Sequence, residues 1–486
     1  MESDLANITL ALESNAKSIP NKKAIILPDS FIDYKTLNNL VWSASTYFYN
    51  IGIREGDIVG LNSDKELLRI ITMLALLRLG AVFFPIPHQY SLFQIHQTLN
   101  EVKINFLITN LKVELDLLNV ITIDMTNLVG NEINYGISSL NLDNPCLMIS
   151  GSGSTGKKKI ICLTHRQMIE RSKIAFSEYT HDLNVYSFTS LEFFAGINRF
   201  ISTIMHSGAF CLISNNKIDH YAKIKNISIL FCSVFHAEKL INLYSSNNKP
   251  AFPFLDAIRV SGSSVSNDLR NKIRYFLNQN LQIVYGANEC GRITMLCSSE
   301  KSQDDFSVGS PLEGVEIKII DSEGNHVSTG QKGQILVRSP SMIYSYYNNL
   351  EESKKNFKGG WFYTNDLGQI SDKGQLRHFG RIDNLIIYNG INIFPVEIEE
   401  TIKGITGVRD VAIVGFPNQY HGQVPVGLVE IFEDNFSNIE SLKSEIKDKL
   451  GFKSPQKLFY VKKIPRDENG KISHNLVVEY LKKLER

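Results

Sequence analysis

Residues 150–159, SGSGSTGKKK, interleave glycines with Ser and Thr hydroxyls and end on Lys157, Lys158 and Lys159. The stretch sits between two apolar runs, CLMI and IICLTH. Glycines let successive backbone N–H groups converge on anionic oxygens, and hydroxyl and ammonium groups add donors and charge. That is the chemistry of holding a polyphosphate. Read from Gly151, the pattern G-x-x-x-x-G-K-K nearly matches the phosphate loop of P-loop nucleotide triphosphatases and kinases. Such a loop needs Ser or Thr after its first lysine to ligate magnesium, and here that position is Lys158. Alone, the stretch also reads as a solvated Ser/Gly/Lys turn.

Four further stretches carry reactive side chains. VYGANECG (284–291) places Glu289 behind a strand and a tight turn, where a carboxylate can hold magnesium. YTNDLG (363–368) places Asp366 at a turn after an aromatic strand. GRIDNLIIYNGINIFPVEIEE (380–400) ties Arg381 and Asp383 to a strand, a glycine turn and a helix. PRDENGKIS (465–473) presents Lys471 just past an Asn-Gly hairpin turn. Singly, each is an ordinary charged turn.

The elements that must position these groups alternate between helix and strand. YKTLNNLVWSASTYFYNIG (34–52) and KELLRIITMLALLRLG (65–80) read as helices closed by glycine, and DIVGLNS and AVFFPI as the strands after them. Further strands are expected at FLIT, CLMIS, ILFCSVF and LQIVYG, which gives an α/β sheet with helices on its faces. After about residue 305 the texture changes to short strands joined by turns such as SEGN and QKGQ, a small all-β section. From 383 it changes again, to PVEIEETIKGI, VAIVGF, VGLVEIF and NIESLKSEIKDKLG, a compact α+β tail. Two domains are therefore expected, 1–382 and 383–486.

Bulk properties narrow the setting. A chain of 486 residues, 43% of them hydrophobic, is too long for one core. With 51 basic and 50 acidic residues it has no global field to attract nucleic acid or an acidic membrane. The six cysteines form no CxxC pair and read as reduced thiols of a cytosolic protein. No signal peptide is legible, and IITMLALL is too short to span a bilayer, so a soluble cytoplasmic protein is expected.

In order and spacing, the five motifs resemble those of the acyl-adenylate-forming superfamily. That family includes acyl- and aryl-CoA synthetases, adenylation domains of peptide synthetases, and firefly luciferase. The resemblance runs from NKKAIILPDSFIDYKTLNNL to Lys471. It implies a large N-terminal domain of αβ-layered sheets with a small β-barrel section, followed by a small mobile C-terminal domain. The family loop [ST]-S-G-[ST]-T-G-x-P-K lies on Ser152, Gly153, Ser154, Thr155, Gly156 and Lys159, which would cradle the β- and γ-phosphates of ATP; its proline is Lys158 here. Gly262 and Ser263 of the VSGSS turn would border the nucleotide. Y-G-x-T-E becomes Tyr285, Gly286, Ala287, Asn288 and Glu289, with Tyr285 against adenine and Glu289 on Mg2+. Asn288 stands for a threonine that donates to phosphate. Asp366 would bind the ribose hydroxyls, although the usual T-G-D is T-N-D through Asn365. Arg381 would reach ribose and phosphate, Asp383 would be the hinge, and Lys471 the lysine required for adenylation.

The implied reaction activates a carboxylic acid as acyl-AMP, releases pyrophosphate, and hands the acyl group to a thiol. The acid pocket is expected from Phe193, Phe194, Ser261, Ala287 and Ile293. Phe194 replaces the aspartate with which peptide-synthetase domains bind an α-ammonium group, and Phe193 replaces the histidine of P-x-F-H-x-x-G. Two phenylalanines favour an apolar or aromatic acid, while Glu192 leaves room for an amine elsewhere on the substrate. The acceptor is CoA or the phosphopantetheine of a separate acyl or peptidyl carrier protein, since no carrier motif follows Lys471. Two alternatives stay open: a free-standing amino-acid-activating enzyme that loads a carrier protein, and a non-catalytic binding protein on the same fold. Lys158, Asn288 and Asn365 are the departures that give the second its weight.

Overall fold

The computed structural model describes residues 7–111, 119–130, 141–151, 159–179, 181–213, 218, 222–223, 225–246, 249–298, 306–388, 391–418, 420–431, 439–467 and 471–484. Two large sheets dominate the first 311 residues. One has six strands in the order Asn119–Thr122, Phe106–Thr109, Ile58–Asn62, Val82–Ile86, Pro145–Gly151, Lys159–Thr164, parallel except at the last pair. The other has nine, in the order Ser310–Pro311, Gly291–Leu296, Leu281–Ala287, Ala257–Ser261, Ile229–Cys232, Asn184–Ser187, Ala209–Cys211, Lys23–Ile26, Phe31–Asp33. Its interior strands are parallel and its two margins antiparallel.

The sequence explains why these sheets close on a common core. Helix Glu66–Leu79 has no polar face, and every residue from Leu68 to Leu79 is buried. A helix apolar all round has to lie between layers. It packs in one cluster with Leu37, Val41 and Phe48 of helix Tyr34–Asn50, with Leu61 and Phe83 of the six-stranded sheet, and with Val185 and Phe231 of the nine-stranded one. Gly80 ends the helix in the left-handed conformation at φ 76°, as its place after the apolar run suggests. Helix His165–Lys173 starts with a reciprocal Thr164–Gln167 capping box, which fixes the direction in which the chain leaves Lys159–Thr164.

A five-stranded antiparallel sheet follows, built from Glu316–Ile320, Gly333–Arg338, Trp361–Ile370, Phe357–Lys358 and Leu376–Arg381. Here the structure corrects one expectation. Asp366 lies inside strand Trp361–Ile370, not at a turn beyond it. Gln334 pairs with Leu367 and Leu336 with Tyr363, so Thr364, Asn365 and Asp366 together face Ile335 alone. This bulge re-aims the side chains, and Asn365 takes the left-handed conformation it requires, at φ 63°. The last sheet contains Ile391–Ile393, Ile386–Tyr388, Gly422–Ile431 and Val408–Asn418, with Lys457–Val461 parallel to Gly422–Ile431. Helices Pro395–Lys403 and Ile439–Leu450 accompany it, and Ile386, Ile398, Ile402, Ile413 and Val429 form a core separate from the larger ones.

Candidate active site

Strands Asn184–Ser187, Ile229–Cys232, Ala257–Ser261 and Leu281–Ala287 run parallel, so their carboxyl ends open on one edge of the nine-stranded sheet. Residues predicted to act leave from those ends: Ser261, Gly262 and Ser263 from one, Asn288 and Glu289 from another. Parallel sheets bind ligands at such an edge because loops there can converge without disturbing the strands.

Glu289 is half-buried and fixed from three sides. Tyr346 Oη donates to its Oε1 at 2.8 Å, and Ile343 N donates to its main-chain oxygen at 2.8 Å. Buried Arg171 bonds Asn288 O at 3.0 Å and Ser341 O at 3.1 Å, which pins the turn from behind. Lys159 completes the group. Its Nζ lies 5.1 Å from the centre of the Tyr346 ring and 2.7 Å from Glu352 Oε2, which holds the Glu352 carboxyl below its ordinary pKa. Sequence reasoning missed Tyr346, Glu352 and Arg171, which lie in stretches with no motif signal.

Asp366 anchors the second group. Tyr285 Oη donates to its Oδ2 at 2.6 Å, His378 Nε2 stands 3.6 Å from the same oxygen, and Arg381 Nη1 stands 3.6 Å from Oδ1. Arg381 is the cross-strand partner of Asp366, which is why a motif 15 residues later in the chain arrives beside it. Burial alone would raise the Asp366 pKa, but His378, Arg381 and Tyr285 outweigh it and hold the carboxyl below its usual range. Burial, and then the Asp366 charge, push the Tyr285 phenol far up, so it stays a donor. The two groups share an environment, because Arg381 acts on Tyr346 against the larger effects of burial and Glu289.

Asp383 lies in the short helix Ile382–Asn384 between the last strand of the antiparallel sheet and the C-terminal sheet. Asn365 Nδ2 reaches both of its carboxylate oxygens at 2.9 Å, and Arg381 Nη2 reaches one at 3.2 Å. Lys471 is exposed, on a hairpin whose flanks pair Arg466 with Ile472, and Asp467 N donates to Lys471 O at 2.7 Å. Arg466, next to Asp467, is held by Asp410 and faces the ring of Phe235 on helix Val234–Tyr244 at 5.8 Å. Ser152, Gly153, Ser154, Thr155, Gly156 and Lys158 lie outside the described residues; the strands on either side pair Gly151 with Lys159.

Residues 12–347 match the model of the AMP-binding enzymes, and residues 397–471 that of the C-terminal domain of the same enzymes. The chain belongs to the AMP-binding enzyme family. An uncharacterized acyl–CoA ligase of Bacillus subtilis is 27% identical over 355 residues, which are 71% of this chain and 70% of the relative. A 2-succinylbenzoate–CoA ligase of Listeria monocytogenes is 23% identical over 489 residues, 96% of this chain and 98% of the relative. The fold matches O-succinylbenzoate coenzyme A synthetase of Bacillus subtilis, solved with ATP and magnesium, with a TM-score of 0.87 at 21% identity, over 96% of this chain and 99% of that one.

In this AMP-binding enzyme the expected acid-pocket residues part company. Phe193 caps helix Phe194–Met205 and borders a cavity of about 420 Å³ with Ser63, Arg69, His88, Ser190 and Glu192. Phe194 packs on the main core under Arg171, 5.1 Å from its ring centre. Glu192 is already engaged: its Oε1 accepts from Arg69 Nη2 at 2.8 Å and His88 N at 2.7 Å, with His88 Nδ1 also at 2.7 Å. It is therefore not a free carboxylate for a substrate amine. Ser261 and Ala287 stay half-buried at the carboxyl edge. Ile293 does not line the pocket. Tyr285 pairs with Thr294 and Gly286 with Arg292, so Ile293 is the extra residue of a bulge. It drops, fully buried, into the core of Cys290, Val315, Ile335 and Met342.

The residues also fit a magnesium ion. Tyr346 occupies one oxygen of Glu289 and leaves carboxylate lone pairs for a cation. No cluster of three His, Cys, Asp or Glu occurs among the described residues. One carboxylate, completed by phosphate oxygens and water, is how Mg2+ is commonly held. None of the helices described is long and apolar enough to cross a membrane.

Proposed function

We propose that the chain is an ATP-dependent acid–CoA ligase working through acyl-AMP. The observation that carries this reading is the pair of carboxylates at one edge. Glu289 and Asp366 are each held by a tyrosine hydroxyl, and Lys159 and Arg381 stand beside them. Asp366 accepts the ribose hydroxyls, and the low pKa of its carboxyl keeps it an acceptor at neutral pH. Lys159 and the glycine loop before it take the β- and γ-phosphates. Glu289 would hold magnesium, which neutralises charge on the departing pyrophosphate.

A carboxylate oxygen of the acid attacks the α-phosphorus, and the bond from that phosphorus to the bridging oxygen of pyrophosphate breaks. Lys471 stabilises the charge shared by the two reacting groups. The thiol of CoA then attacks the acyl carbon and loses its proton, and AMP leaves with the electrons of the C–O bond. We place the domain boundary after residue 382, with Asp383 as the hinge that lets Lys471 withdraw between the two steps. CoA is the acceptor we favour, because a relative matched over 98% of its length is named as a 2-succinylbenzoate–CoA ligase.

ATP–pyrophosphate exchange over a panel of acids tests the first step. Lys471→Ala is expected to lower exchange by about 100-fold or more. The same variant should still transfer a supplied acyl-AMP to CoA. Undiminished exchange in Lys471→Ala would remove the mechanism, and transfer to a carrier protein in preference to CoA would replace the acceptor.

A further inference from the structure

Helix Phe194–Met205, strand Ala257–Ser261 and strand Gly291–Leu296 bring three arginines around one phenylalanine ring. Arg199 is 7% exposed and Arg259 is 1% exposed, and Arg292 is half-buried. Their guanidinium carbons lie 4.7, 5.5 and 5.9 Å from the centre of one ring, Phe231. Arg259 and Arg292 also share Phe176, at 5.3 and 5.9 Å.

Their partners do not balance their charge. Arg259 is complete, with Glu178 as its ion pair, Gln282 Oε1 at 2.5 Å and Ala175 O at 2.6 Å. Arg199 bonds hydroxyls only: Ser187 Oγ at 3.0 Å, Thr189 Oγ1 at 2.9 Å and Ser261 Oγ at 3.2 Å. Arg292 gives Nη1 to Ala175 O at 2.7 Å, and its Nε and Nη2 donate to nothing among the described residues. Glu178 is the one carboxylate in an ion pair with any of the three among those residues. Three guanidinium groups on one carboxylate leave a surplus of two positive charges. Burial, helped by the like charges of its two neighbours, pulls the Arg292 pKa down to about 9, and burial pulls Arg199 to about 10. Both stay protonated at neutral pH. Arg199 is buried without a counter-ion and Arg292 stands half-buried beside it, an arrangement that favours an anion.

The place of the surplus says which anion. Arg199 is bonded to Ser261, which leads into the exposed Gly262 and Ser263. Arg292 pairs across the strands with Gly286, three residues before Glu289. The charges therefore stand next to Ser261 and to the strand that leads into Glu289, where the acid meets ATP on the acid-ligase reading. We propose that the acid carries a second anionic group, in its simplest form a second carboxylate, which Arg199 and Arg292 bind while Arg259 stays with Glu178. The free Nε and Nη2 edge of Arg292 offers the two parallel donors that a carboxylate takes. This rests on the acid-ligase reading, and it replaces a wholly apolar acid, the first of the two that Phe193 and Phe194 suggested.

The test is pyrophosphate exchange with matched acids: straight-chain and aromatic diacids, each against its half methyl ester and against the apolar monoacid of the same length. At least one diacid is expected to exceed its half ester in kcat/KM by about 100-fold, the discrimination given by losing charge-assisted hydrogen bonds in a buried site. Arg292→Gln should bring that ratio below about tenfold, with Arg292→Lys in between and thermal melting confirming the fold. Arg199→Gln is an independent second test of the same ratio. Exchange with monoacids or half esters as good as with diacids overturns the inference and leaves the ligase reading standing. So does an unchanged ratio in a folded Arg292→Gln enzyme. Exchange with no acid at all overturns the ligase reading itself.

Discussion

Tyr346→Phe isolates one atom of the site. The hydroxyl it removes donates to Glu289 Oε1 at 2.8 Å. What remains keeps its packing: the ring lies edge-on to Phe357 at 5.3 Å and still presents its face to Lys159. The Glu289 turn stays pinned by Ile343 N and Arg171. The substitution therefore frees only the Glu289 side chain. A hydrogen bond to a charged acceptor is worth about 1.5–3 kcal/mol, and the half exposure of Glu289 puts this one near the lower figure. Since each 1.36 kcal/mol is tenfold, the expected loss is about tenfold.

With Glu289 as the magnesium ligand, that loss should fall on the metal. The Mg2+ concentration giving half-maximal exchange should rise about tenfold in Tyr346→Phe, with the rate at saturating Mg2+ less affected. Mn2+ binding in the presence of ATP, followed by electron paramagnetic resonance, should weaken in parallel. Glu289→Gln removes the charge itself and is expected to cost about 100-fold or more. In that background Tyr346→Phe should add little, because residues acting as one unit are not additive. A Tyr346→Phe enzyme with a wild-type melting curve and a wild-type Mg2+ titration would refute this reasoning. So would a full tenfold loss in the Glu289→Gln background, which would assign the hydroxyl to another partner.

Two more outcomes follow from the geometry. Asn365 holds a left-handed φ of 63° and both oxygens of Asp383, so Asn365→Gly loses only the contact, whereas Asn365→Val also strains the backbone. The valine variant should unfold at lower urea, by about 1–2 kcal/mol, and equal midpoints would show that the backbone conformation carries no cost. His165 is fully buried with neither ring nitrogen hydrogen-bonded among the described residues, and burial lowers its pKa from 6.5 to about 4. The unfolded chain therefore takes up the proton first. Stability is intact above pH 6.5 and falls as pH drops toward 4, by up to about 3 kcal/mol from this group. Urea midpoints of His165→Leu should lack that part of the acid limb, and parallel wild-type and variant curves between pH 6.5 and 4 would refute it.

Much of the site was legible because its motifs are local. Tyr285 and Glu289 lie on one strand and its turn, and Arg381 follows Asp366 through one hairpin, so spacing alone brings them close. Asn365 stood out as a departure, and its positive φ explains why Asn, which tolerates the left-handed region, can stand where glycine is usual. What stayed hidden depends on pairing between distant segments. Glu192 looked free in SLEFF, yet its partners Arg69 and His88 come 123 and 104 residues earlier, across the gap between the two sheets. Ile293 looked like pocket lining, but the bulge that buries it is a one-residue register shift against the neighbouring strand, which turns a side chain to the other face.

The arginines show the same limit from the other side. Arg199 in GINRF, Arg259 in AIRVS and Arg292 in GRITM each sit inside an apolar run, and each alone reads as a side chain that snorkels to the surface. For Arg259 the structure rules that reading out. Its strand lies between two parallel neighbours in the sheet interior and offers no route to solvent, so a charge there needs a partner. The order of strands is not legible in one segment, so the three arginines passed unnoticed beside the two phenylalanines. The surplus that selects a dianionic acid belongs to no single segment. It exists only as a sum over three segments, a helix, a parallel strand and an antiparallel strand, which meet around one phenylalanine ring. Substrate choice in this enzyme is on that account a property of topology acting on charge, and exchanging Arg199 or Arg292 should move it more than exchanging Phe193 or Phe194.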